Sequence, residues 1–299
     1  MSILVVGSIA YDSVETPFGK RENALGGSTI YFSSAAGLFA PVNIVGVVGD
    51  DFNHDDIAFL KDRQVNFDGM HRAGGKTFRW GGKYHANMNK RDTLFTDLNV
   101  FENFKPEIPR GHRAPRYLFL ANIDPDLQLE VLSQVDKPQL VVLDTMNLWI
   151  DIKRDSLEKV VRKSDILILN DEELMDFSGE ANLVKAVRKV SAMGPESIVV
   201  KRGEYGALLY SGEHFFFTPA FPLERVVDPT GAGDTFAGGF LGHVASQNKH
   251  DAATLREAIV YGSVTASFTV EDFSIERLKS LDQGQIDKRY EVMRKMVKI

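Results

Sequence analysis

Short apolar runs punctuate the first two thirds of the chain, and amphipathic stretches separate them. Ile3–Gly7, Val42–Val48, Tyr117–Leu120, Leu140–Leu143, Ile166–Leu169 and Ser197–Val200 read as buried strands. Between them, helical spacing covers 27–39, 52–62, 126–134, 154–163, 171–177 and 181–192, with Asp50 and Asp51 as the expected cap of the second. Strands that alternate with helices predict a mostly parallel sheet covered on both faces, an α/β fold. Gly206–Tyr210 and His214–Thr218, joined at Ser211-Gly212-Glu213, predict an antiparallel hairpin at the sheet edge. Helices are then expected at 233–248, 252–268, 274–281 and 284–298. The last has one apolar face, Ile286, Tyr290, Met293 and Val297, while Lys288, Arg289, Arg294, Lys295 and Lys298 form a solvated one.

Residues 70–105 break the pattern. Thr77–Tyr84 is rich in glycine and aromatics and has no helical period, so short strands outside the main sheet are expected. With 11–25 they form either a small lid or an ordinary surface hairpin. Phe78, Trp80 and Tyr84 would either pack there or stack on a ligand ring.

Composition narrows the function. At 299 residues with 43% hydrophobic positions, the chain can bury a sizeable core. A net charge of −6 argues against sequence-independent nucleic-acid binding, which needs a basic surface. Cysteine is absent, so no disulfide framework or thiolate metal site is expected. No apolar run is long enough to span a membrane, and the first strand is too short and unflanked by basic residues for a signal peptide. A cytoplasmic protein is expected. The histidines show no His-Glu-x-x-His spacing, and neither a P-loop nor Gly-x-Gly-x-x-Gly is present.

Chemistry concentrates in Asp228-Pro229-Thr230-Gly231-Ala232-Gly233-Asp234. Two glycines flank a small residue where a turn enters a helix, and the N–H groups there favour an anion. A carboxylate beside such a cradle would repel the anion, unless its task is to take a proton from a hydroxyl attacking a phosphoryl group. Asp234 is thus the candidate base, with Gly231, Ala232 and Gly233 as the anion turn. Thr230 is a candidate phosphate contact and Asp228 a candidate cation ligand. A tight turn with an acidic helix start is the plainer alternative.

The longer string Asp-Pro-Thr-Gly-Ala-Gly-Asp-Thr-Phe resembles the C-terminal signature of the ribokinase-like (PfkB family) sugar and nucleoside kinases, and the resemblance covers essentially the whole chain. It implies a ribokinase-like three-layer sandwich over 1–299, one domain, with a β lid from about 11–25 and 70–105. Asn170-Asp171-Glu172-Glu173 resembles the family's Asn-x-x-Glu motif, which implies Asn170 at the nucleotide and Glu173 near magnesium. Lys201-Arg202-Gly203-Glu204-Tyr205-Gly206 resembles the family's Thr-Leu-Gly-x-x-Gly. Gly203 and Gly206 match it, while Lys201 departs and would meet phosphate directly. Asp12 and Gly26-Gly27 would hold the acceptor. Ser28 and Tyr31 depart from the ribokinase form, and Gly-Gly-Ser-Thr is closer to adenosine kinases. Asn122, Asp144 and Asn147 follow strand ends, where open α/β sheets bind ligands, and are candidate substrate contacts.

The expected activity is magnesium-dependent transfer of the ATP γ-phosphate to a hydroxyl, a primary alcohol of a sugar. A nucleoside kinase of adenosine, inosine/guanosine or cytidine type and a non-catalytic nucleotide sensor remain alternatives. A small-molecule substrate, dependence on a monovalent cation such as K+, and a homodimer paired through the lid are further expectations from the resemblance.

Overall fold

In the computed structural model, which describes residues 2–297, alternate residues of each central strand enter two separate cores. Ile3 and Val5 join one and Leu4 and Val6 the other. The period of two along a pleated strand produces that division. In chain order the strands are β1 (Ile3–Val6), β2 (Ala10–Thr16), β3 (Gly19–Gly26), β4 (Val42–Val48), β5 (Val65–Arg72), β6 (Phe78–Tyr84), β7 (Arg91–Asp97), β8 (Tyr117–Leu120), β9 (Leu140–Asp144), β10 (Ile166–Asn170), β11 (Ser197–Lys201), β12 (Ala207–Ser211) and β13 (His214–Thr218). The helices are α1 (Ser28–Ala36), α2 (Ala58–Lys61), α3 (Pro125–Gln134), α4 (Asn147–Ile152), α5 (Arg154–Val161), α6 (Asp171–Ser178), α7 (Leu183–Ser191), α8 (Ala232–Gln247), α9 (Ala252–Thr269), α10 (Glu276–Lys279) and α11 (Gln283–Val297). The last expected helix thus ends at Val297, and Lys298 lies outside the described residues.

Nine strands form the main sheet in the order β13-β12-β11-β10-β9-β8-β1-β4-β5. They are parallel except at the expected edge hairpin, where β12 runs antiparallel to β11 and β13. Residues of α1, α8, α9 and α11 pack in the core on one face, and those of α3, α5, α6 and α7 in the core on the other. The chain therefore folds as an α/β/α three-layer sandwich. Strand order reverses at β1, which lies between β8 and β4, so a crevice opens beyond the carboxyl ends of these strands.

The remaining strands make a second sheet, β3-β2-β6-β7. Its segments are those expected outside the main sheet. Two expectations need correction. Residues 70–72, expected outside the main sheet, end its edge strand β5, in which only Val65 and Gly69 are buried. Asp50 and Asp51 do not cap the helix that follows. Asn53 does so, accepting from the Asp55 amide at 3.1 Å. Asp51 instead accepts from the Thr77 amide at 2.7 Å and pairs with Arg79 at 2.6 Å, while Asp50 accepts from the Gly75 amide. Both aspartates tether the entry to β6, because that segment offers them amides and a cation, while Asn53 takes the amide at the helix start.

Candidate active site

The turn from Asp228 to Asp234 enters α8 through Gly231, whose φ of 74° suits glycine and few other residues. A Cβ at Gly231 would lie 2.3 Å from the ring carbons of buried Tyr31, so the turn presses directly on α1. Asp228 shapes the turn from within. Its two oxygens accept from the Thr230 and Ser274 amides, each at 2.9 Å. Thr230 donates its hydroxyl to Tyr84 of the small sheet at 3.2 Å. The Ala232 amide turns back to the Pro229 carbonyl at 3.2 Å. Among the described residues, the Gly231 and Gly233 amides make no such bond to a turn carbonyl.

Asp234 sits in the first turn of α8, half-buried. Burial and then the charge of Asp144 push its carboxyl up to about 7, against the pull of Lys201. Lys201 ends β11 and donates to Asp144 Oδ1 at 3.1 Å, with its side chain 19% exposed. Its Nζ is also 3.1 Å from where a Gly233 Cβ would stand, so the ammonium lies against the anion turn. Burial works against that charge, but Asp144, Glu173 and Asp234 together hold its pKa above the usual value. Glu173 belongs to a capping box. The Asn170 side chain accepts from the Glu173 amide, and the Glu173 carboxylate accepts from the Asn170 amide, both at 2.7 Å. Burial lifts Glu173 to about 7, with Lys201 opposing and Asp144 adding. Parallel pairing of β9, β10 and β11 sets Asp144, the start of α6 with Glu173, and Lys201 side by side, and the first turn of α8 adds Asp234, so three carboxylates act on one ammonium.

Asp12 approaches from the small sheet. Its carboxylate lies against bare Gly26, where a Cβ would be 2.0 Å from Oδ2. Burial, then the charges of Asp228 and Asp234, raise it to about 8 against the Gly27 amide and Arg91. Gly27 caps α1, while Ser28 and Thr29 tie that helix start to Ser8 at the end of β1. Unfolded aspartate loses its proton near 3.8, whereas folded Asp12 keeps it to about 8. The folded protein thus binds more protons across that window, and this group's contribution to stability falls as pH rises through it. Thermal melts from pH 5 to 8.5 should show Asp12→Asn gaining on the wild type as pH increases. A constant difference would mean that the carboxyl titrates normally.

Beside the turn lies a cavity of about 430 Å³. Lys201, Gly203, Gly206, Ala232 and Gly233 line its polar end, and Phe221, Leu223, Val226, Phe236, Ala266 and Val270 its apolar walls. The apolar wall was not anticipated from the sequence. Its residues come from the loop after β13, from α8 and from α9 with its C-cap, and nothing local marks any of them as a pocket. Asn122 and Asn147 take partners around α4: Asn122 accepts from the Trp149 indole at 3.0 Å, and Asn147 donates to Asp176 at 3.3 Å.

Residues 2–277 match the pfkB family carbohydrate kinase domain. The chain belongs to that family. It is 29% identical over 248 residues to a cytidine kinase from Thermococcus kodakarensis, a match spanning 81% of this chain and 87% of that protein. Its fold resembles aminoimidazole riboside kinase from Salmonella enterica, solved with aminoimidazole riboside and an ATP analogue (TM-score 0.76, 20% identity, 97% of this chain and 100% of that one). It also resembles a putative ribokinase II from E. coli in complex with ATP and Mg2+ (TM-score 0.80, 19% identity, 97% and 99%). The fold is therefore ribokinase-like, and the pfkB membership makes this chain a phosphotransferase acting on a hydroxyl. No helix among the described residues is long and apolar enough to cross a membrane.

Proposed function

We propose that this pfkB kinase transfers the γ-phosphate of ATP to a primary alcohol of a sugar-bearing small molecule, with Asp234 as general base. The observation that carries the reading is that Asp234 directly follows the Gly231–Gly233 turn and feels the Lys201 charge, while Gly233 and Lys201 line the 430 Å³ cavity. A carboxyl with a pKa of about 7 is matched to accepting a hydroxyl proton near neutral pH. The Gly231 and Gly233 amides and the Lys201 ammonium would neutralise charge on the phosphoryl group in flight. The cavity's apolar walls suit the adenine, and Gly203 and Gly206 its sugar and phosphates.

Among the described residues no three acidic or histidine side chains are set to hold a metal by themselves. That fits Mg2+, which keeps several waters and relies on substrate phosphates. Glu173 and Asp144 would orient its waters. Asp228 is less suited, since both its oxygens already hold amides. Magnesium, when bound, would neutralise charge on the phosphates.

Asp12 and the bare backbone at Gly26 and Gly27 would hold the acceptor hydroxyls. The small sheet would act as a lid within a single domain, since Tyr84 on β6 already reaches Thr230 in the anion turn. A relative named cytidine kinase favours an acceptor sugar that is part of a nucleoside. ADP release measured across a panel of sugars and nucleosides tests the activity. The expected result is one acceptor class turned over, with kcat/KM rising with pH through about 7. Tight ATP binding with no acceptor phosphorylated would instead identify a nucleotide sensor.

A further inference from the structure

We propose that the indole of Trp80 is the surface on which the planar base of the acceptor rests, so that the acceptor is a nucleoside rather than a free sugar. The inference rests on the kinase reading above and adds to it the residue that reads the base.

Strands β2 and β6 are parallel neighbours, and Trp80 stands opposite Asp12 in their register. Opposed residues share a face of a sheet, so the indole and the Asp12 carboxylate leave the same side. That side faces the transfer centre, because Tyr84, four residues on from Trp80 along β6 and on the same face, accepts from Thr230 in the anion turn at 3.2 Å. Between the two, Gly82 also belongs to this face and has no side chain. A Cβ there would lie 2.1 Å from Trp80 Cη2 and 2.5 Å from Cζ2. The six-membered ring therefore lies down over Gly82 instead of standing away from the sheet. Residues Val14, Tyr84, Val227 and Phe273 form the small cluster against which it packs, and Trp80 stays half-buried.

A planar group already stacks on this ring. The Arg91 guanidinium carbon is 4.8 Å from the ring centroid. Arg91 is exposed on β7, opposite Tyr84, so an incoming base would take the place of its guanidinium on the ring. Reach then bears on the ligand class. Asp12 and Trp80 lie on adjacent strands and on one face, so a ligand held at Asp12 needs a second ring to extend over the indole. A monosaccharide held at Asp12 would leave the indole to Arg91, whereas a nucleoside covers both places.

Kinetics with cytidine, adenosine and D-ribose test this in wild type, Trp80→Ala and Trp80→Phe. Stacking of one base on an aromatic ring is expected to make the nucleoside KM about 10- to 100-fold higher in Trp80→Ala. Trp80→Phe, which keeps a ring and guards against misfolding, should recover most of that loss, and the KM for ATP should not move in either. Nucleoside added without ATP should quench tryptophan fluorescence in the wild type, and the quench should vanish in Trp80→Phe. The proposal is overturned if Trp80→Ala leaves the nucleoside KM unchanged. Turnover of ribose in preference to both nucleosides overturns it too, while leaving the kinase reading intact. Absence of ADP release with every acceptor would sink both.

Discussion

Asp234→Asn is expected to lower kcat by about 10²–10⁴-fold, the usual contribution of a positioned general base. Asparagine keeps the size and the helix-start position but accepts no proton at neutral pH. ATP affinity should change little, because the amides and the cavity that would receive the nucleotide belong to other residues. Affinity is better judged by titration than by KM, since a slow chemical step alters KM on its own. The pH dependence of residual activity should also flatten near 7, where the wild-type carboxyl loses its proton. Turnover like that of the wild type on the best acceptor would remove Asp234 from the base role.

Lys201→Met should damage stability and activity together. The ammonium pairs with Asp144, and its charge acts on Glu173 and Asp234. Methionine fills a similar volume and leaves Asp144, 3% exposed, without its partner. Breaking a buried ion pair from one side costs about 3–5 kcal/mol. Protonation of Glu173 and Asp234 would soften that loss, so it should be larger at pH 8.5 than at pH 6. Urea unfolding at the two pH values measures it. Turnover should fall by about 10²–10³-fold, the size seen when one preorganised charge contact to a transition state is removed. An active variant of unchanged stability would show that Lys201 serves neither purpose.

Much of the framework was legible because its signals are local. Tyr117–Leu120 and Ile166–Leu169 are fully apolar, as strands covered on both faces must be. The Asp228–Asp234 string carries its own turn chemistry, since Gly231 needs a positive φ and Asp228 holds the Thr230 amide two residues away. The capping box of Asn170 and Glu173 also spans only three residues. By contrast, β5 buries few of its residues and shows no alternation to read.

Sequence by itself determined the alternating strand and helix order, the edge hairpin and the motif that places an acid beside an anion turn. Those features depend on periodicity and on residues within a few positions of one another. Only the tertiary structure decided which carboxylates share Lys201, where Asp50 and Asp51 go, what walls the cavity and how Trp80 lies. The Lys201–Asp144 contact joins residues 57 positions apart, and Tyr84 meets Thr230 across 146. Such meetings follow from sheet order and packing, and the desolvation that lifts Asp12, Glu173 and Asp234 exists only once those neighbours have assembled around them.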